Sequence, residues 1–146
     1  MDPERFLDLA RILKGGPGAP ENYRTAISRA YYAAFHVGVT ALKVIGIRPS
    51  DGPGGHGEVV SCLGASGDSD LQAASIRLKI LHSRRRQADY KLSDLNVETR
   101  QEADLACLDS KEIIDQINNL RSKGSKGTAI SEMRQFARDT LKLQVN

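Results

Sequence analysis

The chain has no tryptophan, its aromatics amount to 5%, and only two cysteines occur in 146 residues. With so few large rings, Ala, Leu and Ile must fill the core, which suits helices packed on small residues. Cys62 and Cys107 lie far apart, with no metal-type spacing and no close histidine partner, so they read as thiols of a reducing cytosol. The three histidines (His36, His56, His82) are scattered, and no HxxxH or CxxC occurs, so neither a metal nor a cofactor is expected. The N-terminus, MDPERF, opens with acids and has no apolar run, unlike a secretory signal. No stretch reaches the roughly 18 apolar residues of a membrane span. These absences point to a soluble, cytoplasmic protein without a membrane partner. Period-2 alternation, repeats and heptad runs are missing too, which leaves an all-α class.

What the chain does have is one long uninterrupted stretch, Asn22 to Ile47, holding three of its four tyrosines, Tyr23, Tyr31 and Tyr32. At 3.6 residues per turn it is apolar nearly all round, as a buried central helix must be. One thin polar line runs along it: Thr25, Arg29, Tyr32, His36, Thr40, Lys43. Polar groups inside an apolar interior need partners, so this edge is either functional or paired.

The rest reads as helices around that centre. Asp2-Pro3 starts a first helix with a stripe of Phe6, Leu9, Ala10 and Leu13, ending before the Gly15 to Pro20 loop. The central helix is expected from about Glu21 to Ile45. Gly46 to Gly57 lacks a Gly-Lys-Ser/Thr or a GxGxxG after a strand, so it reads as a flexible connection. A short helix from Glu58 to Leu63 follows. A longer one starts at Asp68 or Ser69 and runs to about Tyr90, with Leu71, Ala74, Leu78, Leu81, Arg85 and Ala88 as its inner stripe. Thr99-x-x-Glu102 is a capping box that opens a helix with Ala103, Ala106, Ile113, Ile117 and Leu120 inward, closing around Lys123-Gly124. A last amphipathic helix carries Ile130, Met133, Ala137 and Leu141. The expectation is one domain over residues 1–146, a bundle of four to five main helices.

The net charge of +3 is unevenly spread. From Arg77 to Lys91, six basic residues face the single acid Asp89, so this window is +5 and the remainder is −2. A local cationic patch is the footprint of a phosphate-bearing or acidic partner, and also suits a helix C-terminus. Arg85 falls on the inner stripe, flanked by Arg84 and Arg86 as exposed cations. Arg29 and His36 on one helix and Arg85, Asp89 and Tyr90 on another can equally satisfy each other as an internal network. His36 is the one group on the polar line that titrates near neutral pH. The acid pairs Glu98/Glu102 and Glu112/Asp115 read as solvated faces.

YRTAISRAYYAAFH, followed by RRRQADY, resembles the HEPN superfamily (higher eukaryotes and prokaryotes nucleotide-binding). More narrowly it is similar to the small stand-alone bacterial branch with an Ala-Ile-Ser-Arg-Ala-Tyr-Tyr-Ala helix and an Arg-x-x-Ala-Asp-Tyr ending. The likeness covers residues 22–95, and helices over 99–143 complete the bundle. The resemblance implies an up-and-down helical bundle, a homodimer with a basic groove, and binding of RNA or a nucleotide by a toxin–antitoxin or defence component. A nucleotidyltransferase antitoxin is the implied protein partner. Many family members are metal-independent endoribonucleases in which a His takes the 2′-OH proton and an Arg stabilises phosphate charge. On that pattern Arg84, Asp89 and His36 are the candidate catalytic residues, and Arg29, Arg84, Arg85, Arg86 and Tyr90 the candidate RNA- or nucleotide-binding ones. Asp89 stands where the family has its His, and a carboxyl of ordinary pKa about 4 is a poor acid at neutral pH. The alternative is a non-catalytic dimeric interaction subunit that docks on a nucleotidyltransferase or another protein.

Overall fold

The structure, a computed structural model, describes residues 1–121 and 127–146. Its axis is α2 (Pro20–Val44), which starts with Pro20 in its first turn. Glu21 in that turn and Lys43 in the last each sit at the dipole end that favours their charge. Around α2 pack α1 (Arg5–Gly15), α4 (Ser69–Tyr90) and α5 (Arg100–Asn118). The shorter α3 (Gly55–Gly64) bridges α2 and α4, and α6 (Gly127–Asp139) lies against α3. The class is an all-α helical bundle. No helix among the described residues is long and apolar enough to cross a membrane.

Small residues set the packing. Ala26, Ala30, Ala33 and Ala34 of α2 have no exposed surface, which lets neighbouring helices approach closely. Tyr31, Leu71, Leu78, Leu81, Ile113, Ile114 and Ile117 fill the space between, each worth roughly 1.5–3 kcal/mol when fully buried. The inner stripe predicted for α4, Arg85 included, is buried throughout, as are the five inward positions predicted for α5. The Asp68 cap forms, and so does the Thr99 half of the capping box. Asp68 accepts from the Leu71 N–H at 3.0 Å, and Thr99 accepts from the Glu102 N–H at 3.2 Å.

Three expectations need correction. In α1, Leu7 is buried while Leu9 is 41% exposed, because Leu7 and Ala10 share the face turned to α2. The polar line of α2 is its solvent edge, not a line through the core. Thr25, Thr40 and Lys43 are exposed, Arg29, Tyr32 and His36 are half-buried, and both threonine hydroxyls donate back to carbonyls one turn earlier. Beside the helices, β1 (Ile47–Arg48) pairs antiparallel with β2 (Gln144–Val145), Ile47 opposite Val145, a two-residue ladder that leaves the all-α class unchanged. The Gly46 to Gly57 segment is anchored rather than loose. Gly46 adopts φ +85, Ile47 has no exposed surface, and Glu58 accepts from the Ser50 N–H and hydroxyl. Gly55 is fixed as glycine, since a Cβ there would meet the Ser50 carbonyl at 2.2 Å. The closure expected at Lys123-Gly124 lies outside the described residues; α5 itself passes into a 3-10 turn over Asn119–Arg121.

Candidate functional site

The α2–α4 interface carries two buried arginines. Arg24, at the start of α2, reaches the end of α4 where the chain turns away after Tyr90. Its guanidinium donates to the carbonyls of Gln87, Ala88, Lys91, Leu92 and Asp94 and to the Glu98 carboxylate. The last carbonyls of a helix have no partner of their own, and Arg24 satisfies them.

Arg85 lies on the inner stripe of α4, its side chain only 7% exposed. Its one hydrogen bond is donated to the Tyr32 hydroxyl at 3.0 Å. Its Nε has no hydrogen-bond partner, and the Asp89 carboxylate, 3.6 Å away, is shared with the Ser28 hydroxyl at 3.2 Å. Instead the guanidinium sits near three rings, with centroids of Tyr31, Tyr32 and Tyr90 at 5.4, 5.1 and 5.8 Å. Such cation–π contacts add about 0.5–2 kcal/mol each but use none of the five N–H donors.

Beside Arg85 stand His56 of α3 and His82 of α4, stacked with centroids 4.9 Å apart. His82 also stacks on Tyr31 at 5.1 Å, and the Tyr31 hydroxyl is hydrogen-bonded to Nδ1 of His56. Burial, then His56, Arg85 and Arg86, lower the His82 pKa to about 4. Burial, then Arg85 and His36, lower that of His56, while burial raises that of Tyr31. At neutral pH both imidazoles are therefore uncharged and Tyr31 keeps its proton. When that hydroxyl donates to Nδ1, His56 carries its own proton on Nε2. A cleft of ≈ 510 Å³ opens over this cluster, lined by His56, His82, Arg85, Arg86, Tyr90 and the Asp51–Pro53 turn. Tyr90, 73% exposed, stands at its rim.

The residues singled out in the sequence are divided by this arrangement. Arg85, Arg86 and Tyr90 share the cleft. Asp89 belongs to the Arg85–Ser28 network, so part of the predicted internal network exists. Arg84 is not an exposed cation: it is half-buried and pairs with Asp109 and Glu102 of α5 at 3.3 and 3.8 Å. Glu102 is accordingly half-buried, not a solvated acid. Arg29 stacks over Phe6 and Tyr32 at 5.4 and 5.0 Å, does not line the cleft, and donates to Ser28. His36 lies against Phe6, Tyr32 and Phe35, its pKa lowered by burial and by Lys43.

Arg24, Ser28, Tyr31, His56 and His82 were not among the predicted site residues. A second polar line, Arg24-Ser28-Tyr31 at spacings of four and three, was readable on α2 and marks the face turned to α4. Nothing in the sequence pairs His56 with His82. Neither cysteine is in a disulfide, and burial raises both thiol pKa values, that of Cys62 to about 11. Among the described residues, no group of three or more His, Cys, Asp or Glu is placed to hold a metal ion. Compared with known proteins, the chain matches no family model, no curated protein and no solved structure.

Proposed function

We propose that this chain is a HEPN-type module that binds RNA or a nucleotide, as a component of a toxin–antitoxin or defence-type system. The observation that carries this reading is the cleft in which Arg85, Arg86 and the exposed Tyr90 ring line one wall. Cations that meet phosphate next to a ring that stacks a base are the minimal equipment for single-stranded nucleic acid. Cleavage through Arg84 and Asp89 has little support, because Arg84 is committed to α5 and Asp89 to Arg85 and Ser28.

The test is fluorescence anisotropy with a labelled single-stranded RNA at rising salt. Binding should weaken linearly in log salt, with Arg86→Ala lowering the slope by about 1 and Tyr90→Ala costing roughly 1–3 kcal/mol. Salt-independent or absent binding would sink the proposal. Incubation of wild type, Arg84→Ala and His36→Ala with RNA in EDTA decides whether cleavage accompanies binding.

A second reading, a non-catalytic dimeric interaction subunit docking on a nucleotidyltransferase, is favoured by Ile76 and Ile80. These sit one turn apart on the outer face of α4 and are 63% and 49% exposed. Light scattering that returns a dimer in wild type and a monomer in Ile76→Glu would support it.

A further inference from the structure

We propose that the cleft between the N-terminus of α3 and the second half of α4 is a phosphate-monoester site, taking the terminal phosphate of a nucleotide or of an RNA 5′ end. This rests on the nucleotide-binding reading but concerns a specific group.

Two independent features converge there. The first is the start of α3. Its N-cap position, Gly54, has no side chain to cap the helix, and the first-turn acid Glu58 is turned back onto Ser50. The Gly55 N–H donates to the Gly52 carbonyl at 3.0 Å, which leaves the first-turn N–H groups of His56 and Gly57 at the positive end of the helix dipole. Gly55 lets the loop backbone lie against that end, and Gly57 leaves open space beside it.

The second feature is Arg85. A buried charge needs close counter-charge and hydrogen bonds. Arg85 has one hydrogen bond, an Nε without any, and only a loose, shared carboxylate, yet it borders the same cleft. The Nε is itself fully buried against Asp89, and Nη2 is spent on Tyr32, so it is the Nη1 end, unbonded among the described residues, that an oxyanion entering from the cleft would meet. Planar N–H donors of a guanidinium match phosphate oxygens in pairs.

The remaining lining fits this ligand. Arg86 adds a second cation at the mouth, against one acid, Asp51. His56 and His82, uncharged at rest, stand where a phosphate would offset the repulsion by Arg85 that helps keep them so. Arg85, only 6% exposed, is recessed in the cleft wall, so a terminal phosphate reaches it more readily than an internal diester flanked by sugars on both sides. The volume suits one nucleotide, with Tyr90 at the rim for its base.

The experiment compares 5′-phosphorylated with 5′-hydroxyl forms of one short oligoribonucleotide, and uridine 5′-monophosphate with uridine. Imidazole NMR signals of His56 and His82 are followed alongside. The 5′-phosphate should tighten binding on the order of tenfold, as charge-assisted bonds to one added group allow. The monophosphate alone should shift both histidine signals. Gly57→Asp places a carboxylate at the α3 N-terminus in open space, should fold normally, and should abolish the 5′-phosphate preference. Arg85→Gln should do the same, and the glycine variant decides the matter if the arginine variant unfolds. Equal affinity for both oligonucleotides, with histidine signals unmoved by the monophosphate, overturns the site while leaving general RNA binding intact. Monophosphate binding with shifted histidines but no oligonucleotide binding upholds the site and removes the RNA reading.

Discussion

Arg24 and Arg85 both reach into the α2–α4 interface and are almost equally hidden, 8% and 6% exposed. Their surroundings differ completely. Arg24 is saturated by five main-chain carbonyls and Glu98, from the last turn of α4 and the segment that leaves it. Among the described residues Arg85 keeps a single hydrogen bond, a loose ion pair with Asp89 at 3.6 Å and three ring contacts. Burial therefore does not distinguish a structural arginine from one held ready for a ligand; the number of satisfied donors does. Arg24 fixes where the chain turns, and Arg85 is left with donors to give.

The largest test of this contrast is Arg24→Ala. It strips several carbonyls of their donor and leaves Glu98 unpaired, so urea denaturation should show a loss of about 3–5 kcal/mol. Arg85→Met, which keeps the volume, should stay within about 1.5 kcal/mol of wild type, since it removes a poorly compensated buried charge. If the two variants lose equal stability, the distinction between them collapses. Tyr32→Phe removes the sole hydrogen bond of Arg85 and should cost about 1 kcal/mol. In a double-mutant cycle with Arg85→Met that cost should vanish, whereas combined with Arg24→Ala it should simply add.

A further effect expected on the Arg85 side is a pH slope. His82 titrates at about 4 in the folded chain, below its ordinary 6.5, so the unfolded chain binds the extra proton between those values. Its contribution is fully present above pH 6.5 and is lost as pH falls towards about 4. Melting temperature should decline over that window, and His82→Phe, which retains the stack, should flatten part of the decline.

The sequence made the helices legible because their signals are local: a capping box, an Asp cap, a stripe repeating every three or four residues. Even the odd member of the α4 stripe, Arg85, could be placed inside by register alone. Leu9 misled because α1 is short and apolar on two flanks, and only the position of α2 decides between Leu7 and Leu9. The site was harder to read. Arg84, Arg85 and Arg86 look alike in sequence, yet successive positions on a helix point about 100° apart, and here they meet α5, α2 and solvent respectively. Arg24 finds its carbonyls only once the chain has turned after Tyr90. The His56–His82 stack depends on how α3 folds against α4, for which no local pattern exists.

The short α6 has a consequence for the cleft, although it lines none of it. Glu132 accepts from the Gly67 N–H just beyond the end of α3, and Arg134 donates to the Ile45 carbonyl just before the segment that leads into α3. One helix thus clasps both ends of residues 46–67, the piece that carries His56 and the α3 N-terminus. Among the described elements α6 packs far less extensively than the long helices, so it opens below the global unfolding free energy and releases both ends of residues 46–67 when it does. Amide exchange in α6 and in residues 46–67 should accordingly follow one shared opening, with α4 and α5 exchanging more slowly. The geometry of the cleft is then only as durable as the grip of a helix on the far side of α3.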